Sequence, residues 1–486
     1  MSEFDNASAR EYNETIYARR DDGSLVFSSL TFLLLFLPIT VGLYFALPGI
    51  RWKNTILLIA SVLFYAWGEP VWVIVLMGLS LLVWLCSAGV AKWQNRWLRR
   101  LALALGVISP MAVLAWVKYG GFLIAPVLNV FGLSIPEVVM PLGISFFTFQ
   151  IVTYIVDVYR QRELYQKNPL DLLLYISCFP QLVAGPIVRY QDVAVQMTDR
   201  RTTMEDFTAG MKRFACGLGK KVILANLCGK AVEAVIGNQA LYGMSVLGGW
   251  YMAALYSLQI YFDFSGYSDM AIGMGRIFGF RYAENFNYPY ISKSVAEFWR
   301  RWHISLGTFF REYVYIPMGG NRVSRPRQLW NLLVVWGLTG LWHGANLNFV
   351  IWGLYYFVLI ALERFVFKPV LDKLPALVRG IGTYALVLVG WIIFYFTDTA
   401  ELVLWLKSLV GAGVPLFTSE LWMVICQYSW FPLIALAAAF PLWKGLRQEV
   451  LDRLSGAYTL WLGIVFVLSV LMIVGQSYNP FIYFRF

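Results

Sequence analysis

The chain is a succession of long apolar runs separated by short polar segments, rather than an alternation of apolar and polar positions. Residues 30–47, 71–91 and 458–475 contain no charged side chain, and each run is long enough to cross a hydrocarbon core of about 30 Å as a helix. A helix satisfies its own backbone hydrogen bonds in lipid, so helices are the expected elements. The pattern predicts an all-α polytopic membrane protein. A soluble protein with buried helices is the alternative.

The same pattern continues along the chain. Apolar windows cover residues 25–48, 54–68, 70–91, 100–118, 121–134, 139–159, 170–188, 207–236, 246–264, 328–342, 345–366, 379–398, 420–443 and 457–477. The windows at 54–68 and 121–134 are too short to cross alone, so we expect them to be re-entrant or buried by neighbouring helices. The sequence therefore predicts about eleven to thirteen transmembrane helices together with re-entrant or interfacial ones.

Composition and charge agree with a membrane protein. Hydrophobic residues make up 59% of the chain and charged residues 14%, and the net charge is +11. The basic residues gather at 92–100, 212–221, 300–301 and 321–327. Basic clusters beside membrane spans set orientation and attract anionic lipids, so we place all four clusters on the cytoplasmic side. Membrane lipids, and not nucleic acid, are the expected partners.

Two further features limit the possible chemistry and domain organisation. The five cysteines show no paired or metal-like spacing, and only two histidines occur, so the sequence predicts no metal site and no bound cofactor. Residues 1–24 are polar and lack the apolar core of a signal peptide, which predicts a disordered tail. Residues 25–486 contain no separable linker and are expected to form one membrane domain.

The region 261–330 combines acidic residues, glycine, asparagine and proline with many aromatic residues, which predicts irregular backbone around a polar interior. Within it, we expect residues 297–316 to form one basic interfacial helix with an aromatic face. That face consists of Trp299, Trp302, Leu306, Phe310 and Tyr313. His303 would then lie between the aromatic face and a second stripe that carries the arginines.

The second histidine, His343, lies fourteen residues after Leu329, the first residue of an apolar segment. A helix would place it roughly 20 Å into the bilayer, where an ionisable residue is a candidate for function. The alternative role is a hydrogen bond between helices. Burial disfavours the charged imidazolium, so His343 is expected to be a neutral ring suited to general-base catalysis.

The surrounding residues suggest what such a base would act on. Arginines favour an anionic substrate, and an acyl thioester of phosphopantetheine fits both the arginines and the buried base. The expected donor-binding residues are Arg300, Arg301, Trp302, Arg311, Trp342 and Asn346. Four more polar residues in apolar surroundings could orient a histidine or bind substrate, although pairing with an arginine is the expected role for most of them: Gln150, Asp157, Asp263 and Asp269.

Six motifs resemble the membrane-bound O-acyltransferase family in the same order along the chain. They are "MPLGISFFTFQ", "FPQLVAGPIVRY", "QIYFDFSGYSDMAIGMG", "ENFNYPYIS", "FWRRWHISLGTFFREYVYIPMGGNR" and "GLWHGANLNFVIWGLYY". Within the family they are similar to the alginate O-acetyltransferase membrane subunits, with the D-alanyl-lipoteichoic-acid transferases as relatives. The resemblance extends from about Leu25 to the last residue.

The resemblance implies tilted helices around a central funnel in a multi-pass protein of the bacterial cytoplasmic (inner) membrane, with residues 261–343 as the catalytic core. His343 would be the catalytic histidine and His303 a second histidine in the same tunnel. The implied reaction takes an acyl group, expected to be acetyl, from acetyl-CoA or an acyl carrier protein. The group would end on an extracytoplasmic polysaccharide such as alginate.

The C-terminal motif at residues 479–486 resembles the terminus of such exporters. Its aromatic residues fit interfacial anchoring. Alternatively, Tyr483 accepts the acyl group after a base such as His343 removes its proton, because an unactivated hydroxyl is a weak nucleophile. A periplasmic or extracellular partner, an SGNH-like or Ser-His-Asp transferase, would then pass the group to the polymer.

Several alternatives remain open at this stage. The acceptor could be cellulose, peptidoglycan or teichoic acid, or the same fold could act on a lipid or a small alcohol. From another class, the chain could be a non-catalytic transporter of an acyl donor, for which internal repeats or broken helix pairs would be expected.

Overall fold

The computed structural model describes residues 25–121, 130, 140–442, 448–475 and 481–482, with only the backbone for 448–453. Every regular element in these ranges is helical, which confirms the predicted all-α class. The predicted tail at 1–24, most of the window at 121–134, and Tyr483 lie outside the described residues.

The first half of the described chain forms eleven helices up to Ile277. They are α1 (Leu37–Ala46), α2 (Ile50–Gly68), α3 (Trp72–Lys92), α4 (Arg96–Tyr119), α5 (Ile144–Arg160), α6 (Pro169–Ser177), α7 (Phe179–Leu182), α8 (Tyr190–Thr198), α9 (Met204–Gly219), α10 (Asn226–Tyr242) and α11 (Val246–Ile277). A π-helical turn at Phe32–Phe36 precedes α1, and another at Lys220–Ala225 joins α9 to α10.

The second half is more fragmented. Its helices are α12 (Val295–Arg301), α13 (Ile304–Phe310), α14 (Arg325–His343), α15 (Leu347–Leu362), α16 (Lys368–Leu371), α17 (Ala376–Tyr395), α18 (Thr399–Leu409), α19 (Ser419–Gln427), α20 (Phe431–Ala438) and α21 (Gln448–Val474). Further π-helical turns occupy Arg311–Tyr315 and Glu363–Phe367.

Five helical segments among the described residues are long and apolar enough to cross a membrane: Trp72–Lys92, Arg96–Tyr119, Leu347–Leu371, Ala376–Tyr395 and Leu454–Val474. Helices α19 and α20, bent by 64° at a short break, would add a sixth as one broken span. The chain is thus a multi-pass membrane protein, as predicted. The total of eleven to thirteen crossings stays a prediction.

Helix α11 is longer than the apolar pattern predicts. It continues to Ile277 as a mostly buried helix, so the prediction of irregular backbone from residue 261 is wrong for its first part. Four glycines let α11 lie directly against α9: a Cβ added at Gly217 would lie 2.5 Å from the oxygen of Gly266, and one at Gly210 would lie 2.7 Å from the oxygen of Gly273. Small residues of this kind let two helix backbones touch within a membrane.

The predicted single helix at residues 297–316 is also wrong. Helix α12 ends at Arg301 and α13 begins at Ile304, because His303 between them has a φ of 45° in the left-handed region. This conformation is strained for a residue other than glycine and persists only where surrounding contacts enforce it.

The break divides the expected aromatic face between two sets of neighbours. Trp302 packs against Trp391 of α17, with ring centroids 4.8 Å apart, whereas Phe310 meets Phe149 of α5 edge to face at 5.9 Å. All four side chains are buried, so this segment is part of the core and is not the predicted interfacial helix.

Helix α11 contributes to two hydrophobic clusters among the described residues. Its residues 252–262 pack with α10 and mainly with the C-terminal helices, and its residues from Phe264 onward pack mainly with the N-terminal ones. Trp342 belongs to the N-terminal cluster and Trp352 to the C-terminal cluster. The chain around His343 therefore lies at the boundary between the two clusters.

Candidate active site

His343 is the last residue of α14 and is enclosed by aromatic rings. The ring centroids of Trp342, Trp352 and Phe394 lie 4.9, 5.0 and 5.1 Å from that of the imidazole. Only 6% of the residue is exposed. The prediction of a buried imidazole is confirmed, whereas its catalytic role stays a prediction.

Close packing of α14 on α15 brings Trp352 to His343. A Cβ added at Gly340 would lie 2.4 Å from the oxygen of Phe349, and one at Gly353 would lie 2.5 Å from the oxygen of Trp336. The two helices can approach this closely because neither glycine carries a side chain.

Helix α4 holds the end of α14 in place. The Lys118 ammonium donates a hydrogen bond to the carbonyl of Trp342, and the Tyr119 hydroxyl donates one to the carbonyl of Leu341. The last carbonyls of a helix lack partners within the helix, and a cation there also interacts favourably with the helix dipole. Sequence reasoning missed this contact, although a lysine inside the apolar window at 100–118 was an available signal.

His303 is held by Asn285, which lies in the irregular segment after α11. The Oδ1 atom of Asn285 accepts hydrogen bonds from the Ser305 backbone N–H at 3.1 Å and from the Ser305 hydroxyl at 2.9 Å. The same oxygen lies 3.2 Å from Nδ1 of His303, and the Asn285 carbonyl accepts from the Ile304 N–H at 2.9 Å. These bonds fix the left-handed turn at which α13 begins.

The Asn285 contact also assigns the protonation of His303. Because Oδ1 accepts from a backbone N–H, it is the amide oxygen and has no proton to donate, so in the hydrogen bond between Oδ1 and Nδ1 the proton lies on Nδ1. The neutral His303 ring then has its basic lone pair on Nε2. The residue is 2% exposed.

Trp342 lies between the two histidines. Its ring centroid is 5.9 Å from that of His303 and 4.9 Å from that of His343. The structure thus brings together three of the residues predicted for the site. Their shared surroundings extend to Phe264, whose ring meets His303 edge to face at 4.6 Å.

The other predicted donor-binding residues lie in different surroundings. Arg301 pairs with Glu297 at 2.8 Å, and Arg311 pairs with the neighbouring Glu312 at 2.9 Å. Trp302 is buried against Trp391. The remaining two are exposed, Arg300 at the end of α12 and Asn346 immediately before α15.

The buried acidic residues mainly form ion pairs, as expected. Asp269 binds Arg213 at 2.7 Å and Lys220 at 2.6 Å. Asp157 accepts a hydrogen bond from the Tyr313 hydroxyl at 2.8 Å, with Arg160 at 4.0 Å.

Asp263 departs from the expectation, because its partner is Lys221 at 2.5 Å and not an arginine. Lys221 is 2% exposed, so this part of the basic cluster at 212–221 is buried and cannot serve as a solvent-facing flank. Gln150, the remaining polar candidate, is fully buried on α5, and its amide atoms have no hydrogen-bond partner among the described residues.

Part of the C-terminal motif enters this region. The backbone N–H of Ile482 donates to Oδ2 of Asp263 at 2.8 Å, and the Phe481 ring lies 4.7 Å from that of Tyr267. Phe481 also lies 6.3 Å from Phe264, the residue that contacts His303. Tyr483, the predicted acceptor of the acyl group, follows directly in the sequence and lies outside the described residues.

Trp352 lies beside His343 and was not singled out from the sequence, although it belongs to the quoted motif "GLWHGANLNFVIWGLYY". It is 1% exposed, and its indole N–H has no hydrogen-bond acceptor among the described residues. A buried donor beside a neutral imidazole is an arrangement that can deprotonate a hydroxyl and stabilise an oxyanion.

Comparison with known proteins matches the sequence model of the membrane-bound O-acyltransferase (MBOAT) family to residues 136–397, a range that includes both histidines. The chain is similar to a probable alginate O-acetylase of Pseudomonas putida, with 37% identity over 501 aligned positions that cover 95% of this chain and 100% of the relative. A peptidoglycan O-acetyltransferase of Helicobacter pylori is 33% identical over 80% of both chains. A teichoic acid D-alanyltransferase of Bacillus subtilis is 34% identical over 47% of this chain and 60% of its own.

Proposed function

Because the chain belongs to the membrane-bound O-acyltransferase family, and is therefore an acyltransferase, we propose that it acetylates an extracytoplasmic polysaccharide. The acetyl group would come from a cytoplasmic thioester, either acetyl-CoA or an acylated carrier protein. Relatives named for alginate and for peptidoglycan acetylation support both the acetyl group and the polysaccharide acceptor. The observation that carries the proposal is the aromatic enclosure of His343 beside the buried N–H of Trp352.

In this proposal His343 is the general base. It takes the proton from the attacking hydroxyl while the hydroxyl oxygen forms a bond to the thioester carbonyl carbon. The C–S bond then breaks, and the leaving thiolate receives the proton from His343. The products are an O-acetyl ester and a free thiol, and the imidazole returns to its neutral form.

Trp352 would stabilise the oxyanion that forms when the hydroxyl attacks. A preorganised donor in a water-poor site acts strongly on developing negative charge. The indole of Trp352 lies next to His343, and its N–H has no competing acceptor among the described residues. Base and donor would thus act on the same carbonyl group.

His303 would be the second proton acceptor, because the Asn285 contact places its basic lone pair on Nε2. The exposed arginines Arg300 and Arg311 would attract the anionic part of the donor.

Tyr483 would carry the acetyl group between the thioester and the polymer. The described residues Phe481 and Ile482 lie against α11, and Phe481 is 6.3 Å from Phe264, the residue that contacts His303, which supports a C-terminal motif close to the chemistry. A periplasmic or extracellular partner of the SGNH or Ser-His-Asp type would then take the acetyl group from the tyrosine ester, whose phenol oxygen regains its proton, and would pass the group to a polysaccharide hydroxyl.

The relay is tested by mass spectrometry of the C-terminal peptide from purified protein incubated with acetyl-CoA or with an acetylated carrier protein. We expect a mass increase of one acetyl group on Tyr483 in the wild type and none in Tyr483→Phe or His343→Ala. Full polymer acetylation by Tyr483→Phe would remove the relay while leaving the acyltransferase proposal intact.

A D-alanyl transfer to teichoic acid is the second candidate, supported by the similarity to the Bacillus subtilis enzyme over 47% of this chain. The same peptide assay, run in parallel with a D-alanylated carrier protein as the donor, separates the two, because alanyl and acetyl adducts differ in mass and only the former carries an amine.

A further inference from the structure

A buried ion pair joins α11 to the π-helical turn at Lys220–Ala225. The Lys221 ammonium lies 2.5 Å from Oδ1 of Asp263, and the two side chains are 2% and 3% exposed. Removing two charges from water is costly, and their mutual attraction offsets the cost only when the geometry is good and the remaining atoms are satisfied. Well-packed hydrophobic residues often replace such a pair without loss of stability, so stability alone does not account for it.

The remaining carboxylate oxygen of Asp263 indicates that role. Oδ2 accepts the backbone N–H of Ile482 at 2.8 Å, so one carboxylate binds both the lysine and the C-terminal segment. The Lys221 ammonium lies 6.0 Å from the centroid of the Phe481 ring, within range of a cation–π interaction. The same ring packs against Tyr267 of α11 at 4.7 Å.

We propose that the Lys221–Asp263 pair positions Phe481 and Ile482 of the C-terminal motif against α11, the helix whose Phe264 contacts His303. The lysine allows the carboxylate to remain charged in the interior, and the carboxylate fixes the backbone of Ile482 through a charge-assisted hydrogen bond. Such a bond fixes the register of the segment relative to Asp263, because a shift by one position would place a different N–H at the carboxylate. Lys221 and Asp263 are positioning residues and take no part in proton transfer.

The proposed relay supplies only the functional reason for this positioning: Tyr483 follows Ile482 directly, so fixing Ile482 limits where Tyr483 can lie. The positioning itself is independent of the relay, and the two can be tested separately.

The test is hydrogen–deuterium exchange of the full-length protein in detergent, followed in the C-terminal peptide that contains residues 476–486. In the double variant Lys221→Leu/Asp263→Leu no buried charge is left unpaired, so the protein is expected to accumulate normally. We expect exchange in this peptide to rise about tenfold to a hundredfold, as for the loss of one hydrogen bond to a charged group. Unchanged exchange in this peptide would overturn the proposal.

The matched control is Lys220→Leu/Asp269→Leu, which removes an ion pair between the same two elements of the chain. It also removes the Arg213–Asp269 pair, but Arg213 keeps Glu284 as a partner. Its C-terminal peptide should exchange as in the wild type, whereas an equal rise in both variants would show general loosening and overturn the proposal. A milder variant, Lys221→Gln/Asp263→Asn, keeps a polar acceptor at position 263. It should give a smaller rise, and it also serves if the double leucine variant fails to fold.

Polymer acetylation measured on the same variants separates this inference from the proposed function. Faster exchange of the peptide with lost acetylation supports both the positioning and the relay. Faster exchange with normal acetylation supports the positioning and removes the relay. In every case the exchange of the C-terminal peptide decides the inference.

Discussion

The Oδ1 atom of Asn285, in the irregular segment after α11, lies 3.2 Å from Nδ1 of His303, the residue at the break between α12 and α13. This single side chain both stabilises the left-handed backbone at His303 and determines which ring nitrogen carries the proton. The orientation of one of the two histidines therefore depends on a residue outside any regular helix.

Replacing Asn285 should lower activity without removing the imidazole. We expect Asn285→Ala to reduce the acetylation rate about tenfold, as for the loss of one orienting hydrogen bond of roughly 1.4 kcal/mol. The control is Asn287→Ala, an exposed asparagine two positions further on. Wild-type rates in Asn285→Ala, measured at equal protein level, would contradict the positioning of His303 by Asn285.

The contact between α14 and α15 gives a second prediction. Gly340→Ala and Gly353→Ala should push the helices apart, since each new Cβ would lie within 2.5 Å of a backbone oxygen. Such overpacking typically costs about 1–3 kcal/mol, so both variants should lower the thermal unfolding temperature and the activity. Gly337→Ala is the control, because nothing lies within 4 Å of its Cβ position. Equal melting temperatures for all three variants would refute the close contact.

The N–H of Trp352 gives a third prediction. Trp352→Phe keeps an aromatic ring beside His343 but removes the donor, so kcat should fall about a hundredfold or more if the N–H stabilises the oxyanion. Trp336→Phe alters a neighbouring ring, 6.1 Å from Trp352, and should have a small effect. An unchanged kcat in Trp352→Phe would assign the oxyanion to another donor.

Much of this architecture follows from the sequence. The uncharged apolar runs predict helices α3 and α21, because a membrane span requires both length and apolarity. At α3 the observed ends differ from the predicted ends by only a few residues. The same reasoning singles out His343, because an ionisable residue deep in an apolar segment is rare.

The break at His303 could not be predicted in this way. The local pattern of residues 297–316 suits one helix, and the break depends on Asn285, which meets His303 only in the folded chain. Tertiary contacts here override the local preference.

The contact between two buried charged residues could not be predicted from the sequence either. Lys221 belongs to a basic run typical of a membrane flank, and Asp263 to an apolar segment, and nothing local indicates that they meet. The close glycine contacts between α9 and α11 bring the parts of the chain that carry Lys221 and Asp263 together. These contacts form only when the helices pack, so the sequence pattern does not reveal them.

The most direct test of the central claim is the acetate content of envelope polysaccharide in a deletion strain complemented with wild type or with His343→Ala, at equal membrane protein levels. We expect His343→Ala to lower acetylation about a hundredfold to ten-thousandfold, because it removes the general base. Full acetylation with His343→Ala would contradict catalysis by His343, and a variant that still moved acyl donor across the membrane would favour a transporter.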